Sequence, residues 1–399
     1  MDSPSLTRRN LAIDMLRALT MLLMVTVNDF WTVGGIPHFL EHTKTMEDGM
    51  GLSDVVFPMF LFVMGMSIPY AIESRYRRGQ GADDTLAHIF LRGFALIVMG
   101  VLTVNQEGSV EPLLGYGKLL WRVLMVLGFF LVWNNYPSKF KWTRLLKWIG
   151  IALLVFLAVT FRDGKGNLLR SSWWGILGLI GWAYLFCALA YLLCRKKVHL
   201  LAFVYLGLIA VNILTTSLRG EAGTIIPHSI ISDFARALNL GNASSAIMAM
   251  GGVLCTVTSV SLRDRKVSEG KRLLIAGAGV VAAVGLGLLS HTWWITSKNI
   301  GTLPWCMYVT GLSIGMYALL SVLEARGLTH WYKAIEPAGT ATLTVYMMPY
   351  LYYVLWSVLS LSTPEWVSGG IGVVKCLLFA MLCIWSAGLL GKIGIKLKI

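Results

Sequence analysis

Long apolar runs separated by short polar segments recur along the whole chain. A membrane-spanning helix needs about 20 consecutive, mostly apolar residues. On that basis we predict spans at 13–34, 52–73, 88–104, 118–134, 145–161, 173–194, 198–216, 243–262, 273–290, 304–325, 339–360 and 370–391. The pattern therefore predicts an all-α, polytopic transmembrane helix bundle of about 12 spans (10–12), forming a single membrane-embedded domain over 1–399.

Positive charges lie unevenly between these spans. The segments on the side of the N-terminus hold about three times as many Lys and Arg residues as the opposite segments. Because cytoplasmic loops carry an excess of these residues, we predict that both termini are cytoplasmic. This asymmetry accounts for the net charge of +14. The predicted partner is therefore the lipid bilayer, and no nucleic acid is expected.

Composition agrees with this interpretation. Only 14% of the residues are charged and 56% are hydrophobic, whereas soluble domains carry roughly a quarter charged residues. No Walker P-loop, His-Glu-x-x-His or Cys-x-x-Cys motif is present, which disfavours an ATP-driven pump and a membrane metalloprotease. We expect no metal.

Ionisable residues inside spans cost a few kcal/mol, and the first third of the chain has several. Asp14 and Arg17 are three residues apart on one helical face and can pair. The pair either eases insertion or places Arg17 near an anionic ligand at the inner surface. Arg92, with the loop arginines before it, can line an inner pocket for phosphates, because guanidinium groups match phosphate geometry.

A second polar group is predicted at the outer side. Asn28 ends the first span, Asp54 begins the second, and the loop between them contains His38 and His42. A loop histidine is usually solvated and idle. A neutral imidazole oriented by a carboxylate is, however, a general base at neutral pH.

Other polar residues lie in or next to later spans. Arg122 needs a carboxylate or an anionic ligand as its partner. Lys298 and Asn299 lie at the outer surface, where Lys298 either snorkels or binds substrate. Tyr346 offers a buried hydrogen-bonding hydroxyl.

The chain resembles the transmembrane acyltransferases related to heparan-α-glucosaminide N-acetyltransferase. The matching strings are IDMLRA at 13–18, MVTVN at 24–28, PHFLEH at 37–42 and, most specific, LSDVVFPMFLFVMG at 52–65. Weaker matches are Arg92, LWRVL at 120–124, SKN at 297–299 and LTVY at 343–346, while about 140–230 is unmatched.

The resemblance implies transfer of an acetyl group from cytoplasmic acetyl-CoA to an amino sugar of the glucosamine type, or to a glycan end, on the outer side. It implies His42 and Asn28 as catalytic residues, and we expect Asp54 to orient His42. We further expect Arg17, Arg92 and Asp14 at the cofactor. Arg122, Lys298, Asn299 and Tyr346 are the expected substrate-binding residues.

Several alternatives stay open at this point. Direct transfer and a covalent acetyl-histidine route are both compatible with these residues. A secondary transporter or flippase of sugar-like substrates also buries charge in its spans, and a structural membrane scaffold is a third alternative. We expect a multi-pass protein of the inner (plasma) membrane of a bacterial cell, with a homodimer as one open oligomeric state.

Overall fold

The computed structural model describes residues 10–108, 110–112, 114–115, 117–216, 238 and 240–399. Within these residues the chain forms thirteen α-helices and three short 3-10 helices. The α-helices are α1 Leu11–Asn28, α2 Leu52–Arg77, α3 Ala82–Asn105, α4 Lys118–Trp133, α5 Thr143–Thr160, α6 Gly175–Cys194, α7 Val198–Thr215, α8 Ser244–Asp264, α9 Glu269–Ser290, α10 Leu303–Ala325, α11 Glu336–Thr340, α12 Thr342–Val358 and α13 Gly369–Lys392. The 3-10 helices are Phe30–Thr32, His38–Leu40 and His330–Ala334.

Each of the twelve predicted spans coincides with a helix, but two of these helices are short. Ten helical segments of the described chain are long and apolar enough to cross a membrane. α4 has 16 residues and α12 has 17, and such helices rise about 24–26 Å, less than the ~30 Å of a bilayer's hydrocarbon core. Ten spans is the low end of the predicted range; the higher count and the cytoplasmic termini stay predictions.

The outer faces of the helices are apolar. In α9, for example, Leu274 and Val281 are more than 70% exposed. Large apolar side chains that are exposed over whole helix faces are expected where lipid, not water, is the solvent. The chain is a multi-pass membrane protein.

The described helices group into two compact units. The first unit comprises the described residues within Met1–Thr20, Pro37–Phe90 and Trp182–Lys333. The second comprises Met21–Ile36, the described residues within Leu91–Gly181, and Ala334–Ile399. The single domain inferred from the sequence stays a prediction.

In the first unit, glycines bring α2 and α8 into backbone contact. A Cβ at Gly65 would lie 1.8 Å from the carbonyl oxygen of Ala249, and one at Gly252 would lie 1.9 Å from that of Phe62. Small residues at helix crossings let backbones approach closely in lipid. This crossing anchors α2, whose N-terminal turn carries Asp54.

In the second unit, glycines also allow close contacts between helices. A Cβ at Gly100 of α3 would lie 2.2 Å from the backbone nitrogen of Gly178 of α6, and one at Gly128 of α4 would lie 2.5 Å from Leu154 of α5. Between 145 and 216, the helices α5, α6 and α7 lie where the apolar runs place them.

Candidate functional site

Asp54 is the centre of a hydrogen-bonded site in the first unit. It lies in the first turn of α2, is 0% exposed, and its Oδ2 accepts from the backbone nitrogens of Gly51 at 3.1 Å and Thr43 at 3.0 Å. The hydroxyl of Thr43 donates to the same oxygen at 3.1 Å. A helix N-terminus also favours a negative charge, so the carboxylate is held ionised and fixed.

Gly51 is required by the tightness of this turn. A Cβ at this position would lie 2.0 Å from the carbonyl oxygen of Glu41. The loop preceding α2 therefore passes directly against the helix start. The hydroxyl of Ser53 ties the loop there by donating to the carbonyl of Leu40 at 2.6 Å.

This loop brings His42 onto Asp54. The Nδ1 of His42 lies 2.7 Å from Oδ1 of Asp54, and the side chain of His42 is 49% exposed. Since an ionised carboxylate only accepts, Nδ1 carries the hydrogen and donates it. The Nε2 lone pair is thereby directed away from the carboxylate, and Nε2 forms no hydrogen bond within the described part of the chain.

Lys298 completes the group from the other end of the sequence. Its Nζ lies 3.8 Å from Oδ1 of Asp54 and 3.2 Å from Nδ1 of His42. Burial lowers the pKa of the Lys298 ammonium, and the carboxylate of Asp54 acts in the opposite direction. A partly buried cation thus lies beside the histidine–carboxylate pair.

The segment around Lys298 is joined to the histidine loop by several further bonds. The amide of Asn299 donates to the carbonyl of Thr43 at 3.1 Å, and the hydroxyl of Ser297 donates to that of Thr45 at 3.1 Å. Asp48 lies 2.8 Å from Nε2 of His291 and accepts from the backbone nitrogen of Thr296. Asn299, expected at the substrate, therefore contacts the loop backbone.

The arrangement has the parts of a general base. A buried carboxylate fixes the imidazole and its tautomer, and the exposed ring nitrogen is free to take a proton. His38, the other candidate in the loop, lies 3.0 Å from Glu47 and has no contact of this kind with Asp54 among the described residues.

Asp14 and Arg17 form the predicted pair in α1 of the first unit. Nη1 of Arg17 donates to Oδ1 of Asp14 at 2.9 Å, and Nη2 donates to the hydroxyl of Ser67 at 2.6 Å. The i, i+3 pairing inferred from the sequence is confirmed. Binding of a cofactor by either residue stays a prediction.

The remaining predicted residues belong to the second unit. Asn28 is exposed at the end of α1, and its side chain makes no hydrogen bond with other described residues. Arg122 lies within electrostatic range of Tyr350, and its buried Nε forms no hydrogen bond within the described ranges. The ring of Tyr346 lies 6.0 Å from that of Tyr350. Arg92 lies in α3, half-buried.

One ionic cluster of the second unit was missed from the sequence. Asp29 is 0% exposed and accepts from Nζ of Lys375 at 2.7 Å and from the hydroxyl of Tyr353 at 2.9 Å. Lys375 also donates to the hydroxyl of Thr32 at 2.6 Å. The signal was available, because a lysine inside the last span must find a partner.

Sequence comparisons support the resemblance over part of the chain. The chain is 37% identical to heparan-alpha-glucosaminide N-acetyltransferase of Mus musculus over 112 residues, which is 27% of this chain and 16% of that protein. It is 34% identical to the Homo sapiens protein of the same name over 102 residues, 26% of this chain and 15% of that protein. The chain thus matches about a sixth of the length of these curated relatives.

A family model covers a larger part of the chain. It matches residues 9–240, more than half of the 399 residues. The matched range contains His42 and Asp54, whereas Lys298 lies outside it. The chain belongs to the family described as a domain of unknown function, DUF5009.

Proposed function

We propose that the chain is a transmembrane acyltransferase that moves an acetyl group from cytoplasmic acetyl-CoA to an amino sugar of the glucosamine type on the outer side. One observation carries this proposal: the exposed imidazole of His42 is fixed by buried Asp54 at 2.7 Å and lies beside Lys298. The partial identity to two proteins named as N-acetyltransferases supports the same class of reaction.

The proposed reaction begins at Nε2 of His42. Nε2 takes a proton from the acceptor amine as the amine nitrogen bonds to the thioester carbonyl carbon. The carbon–sulfur bond then breaks, the imidazolium returns the proton to the thiolate, and the products are the amide and free coenzyme A. Lys298, next to the pair, stabilises negative charge on the substrate.

Asn28 is proposed, from the family resemblance, as the donor to the tetrahedral oxyanion. One such donor is worth roughly 3 kcal/mol of transition-state stabilisation. A covalent acetyl-histidine route uses the same residues in two steps, and the residues favour neither route.

In the proposed reaction, acetyl-CoA and the acceptor lie on opposite sides of the membrane. A spanning helix is about 30 Å long, so the charged head of coenzyme A stays at the inner face while its pantetheine arm enters the bundle. Arg17, Asp14 and Arg92 are the proposed contacts at the inner face; Arg122 and Tyr346 are the proposed acceptor contacts. The bacterial inner membrane and the homodimer stay predictions.

The test uses purified protein in proteoliposomes, with acetyl-CoA on one side and glucosamine on the other. We expect free thiol to appear only when the acceptor is present, together with N-acetylglucosamine on the acceptor side. Counterflow of labelled glucosamine without thiol release would instead identify a transporter and contradict the proposal.

A further inference from the structure

A large cavity lies inside the first unit, between α8, α9 and α10. Its volume is about 640 Å³, and one residue of α7, Tyr205, contributes to its wall. On α8 the lining runs along one face from Gly251 to Arg263, a rise of about 18 Å. The cavity is therefore long and narrow and parallel to the helices.

The lining is polarised along this length. Its four charged residues are at one end, where α8 ends, α9 begins and α10 ends: Arg263, Glu269, Arg272 and Glu324. Leu254, Ile314 and Ala318 line the remainder together with a few hydroxyl groups. Glu324 is already engaged, since it accepts from the backbone nitrogen of Ala12 at 3.0 Å. The cavity thus has the shape and polarity of an amphiphile.

Two polar atoms at the charged end have no partner among the residues that the structure describes. The Nε of Arg272 and the hydroxyl of Ser321 are buried, and neither forms a hydrogen bond with any described residue. A buried donor without a partner costs free energy. A ligand oxygen at this end would satisfy both atoms.

The cavity opens toward the lipid. Ile275 lines it and its side chain is nevertheless 42% exposed. α9 and α10 pack closely against each other; a Cβ at Gly287, for example, would lie 2.6 Å from the ring of Tyr308. α8 and α9 make few contacts, so the lateral slot lies between α8 and α9.

The charge around the slot is positive. Between 263 and 272 the chain has five basic residues and two acidic ones, a net charge of +3. The asymmetry of Lys and Arg along the chain predicts that this end faces the cytoplasm, where the leaflet carries anionic lipid. Arg presents a planar fork of donors that suits a phosphate group.

We propose that this cavity is a binding site for an anionic phospholipid of the adjacent leaflet, with one acyl chain entering between α8 and α9 and the phosphate at Arg263 and Arg272. A lipid can enter the slot laterally from the membrane, whereas a water-soluble ligand is not dissolved in the lipid that the slot faces. The site is independent of the acyl-transfer chemistry proposed above.

Native mass spectrometry of the purified full chain with palmitoyl-oleoyl phosphatidylglycerol tests the headgroup contact. We expect binding about tenfold weaker in Arg272→Gln, the equivalent of one charged hydrogen bond. Arg265→Gln is the matched control, because Arg265 lies in the same basic segment but does not line the cavity. Equal weakening by the two variants would show a diffuse charge effect and overturn the site.

A second pair of variants tests the acyl-chain position. Ala318→Trp fills the cavity and should abolish lipid binding, whereas Leu319→Trp, on the exposed neighbouring position, should preserve it. Melting temperatures measured without added lipid identify any variant that misfolds.

Palmitoyl-CoA serves as the competing probe. If it binds more tightly than the phospholipid and Arg272→Gln removes that binding, the cavity holds the acyl donor and the lipid proposal is wrong.

Discussion

Two buried carboxylates, one in each unit, have similar surroundings but differ in how completely their partners are enclosed. Asp54 and Asp29 are both 0% exposed, and each lies beside a lysine. Asp29 is enclosed: Lys375 at 2.7 Å and Tyr353 at 2.9 Å bind its two oxygens. Asp54 instead gives one oxygen to His42, whose ring is half exposed, and its lysine is 3.8 Å away.

The comparison separates a structural ion pair from a site that can do chemistry. A closed pair satisfies every donor and has nothing to offer a substrate. An open group keeps one reactive atom unbonded and fixes it through the buried carboxylate. We therefore propose that Asp29 contributes to stability and Asp54 to turnover, and the experiments below test that division.

The largest expected effect is on the rate of the Asp54→Asn variant. The donors from Gly51 and Thr43 hold the asparagine carbonyl oxygen in the place of Oδ2. The NH2 group then faces Nδ1 of His42 and donates to it, so the imidazole carries its hydrogen on Nε2 and cannot take the substrate proton there. We expect kcat to fall by about 10²–10⁴-fold, with little change in melting temperature. Thiol release under saturating acceptor measures the rate.

Glu47→Gln is the control for this variant, because Glu47 is an acid of the same loop that pairs with His38 instead. The comparison fails if Glu47→Gln loses as much activity as Asp54→Asn.

Asp29→Asn should act on stability instead of rate. The change leaves the Lys375 ammonium without a counter-charge inside the protein, which typically costs about 3–5 kcal/mol. We expect a much lower melting temperature in detergent. The double variant Asp29→Asn/Lys375→Met removes both charges and should recover part of the loss; a double variant no better than the single one would contradict the closed-pair assignment.

The two sites also differ in how far the sequence revealed them. His42 and Asp54 are 12 residues apart, and both lie in strings that match the family, so their pairing was predictable. Lys298 could be named from its place at the outer surface, but its position beside His42 could not be predicted, because 256 residues separate the two. Asp29 and Lys375 are 346 residues apart, and no local pattern records such a contact.

Helix positions were predictable for a different reason. Apolar length is a local property, so each predicted span has a helix. Whether an apolar helix is long enough to cross the membrane is harder to predict. α4 and α12 are apolar but end after 16 and 17 residues. The cavity between α8, α9 and α10 was not predictable, because it depends on how three helices diverge.

A smaller effect is expected on the pH profile of the Lys298→Arg variant. Burial lowers the pKa of Lys298, so the wild-type side chain loses its positive charge at a lower pH than an exposed lysine. Activity that depends on this charge falls as the pH rises through that lowered pKa. Arginine stays charged, so the variant should remain active further into the alkaline range.

The measurement is kcat/KM across the alkaline range for both proteins. Lys298→Met should have low activity at every pH. If the alkaline limbs of the wild type and Lys298→Arg coincide, titration of Lys298 does not limit activity and its proposed role is wrong.

The smallest expected effect belongs to Asn299→Ala. This change removes one hydrogen bond to the carbonyl of Thr43, worth about 0.5–1.5 kcal/mol. We expect kcat to fall about two- to tenfold, with KM for the acceptor nearly unchanged, because Asn299 positions the loop. A selective rise in KM would show that Asn299 contacts the acceptor, in agreement with the prediction from the sequence.

The most direct test of the central claim compares two histidines of the same loop. In proteoliposomes, acceptor-dependent thiol release from acetyl-CoA is measured for His42→Ala and His38→Ala, with folding checked by melting temperature. The account predicts that His42→Ala loses turnover by at least about 100-fold while His38→Ala remains close to wild type. Full turnover in folded His42→Ala would contradict it.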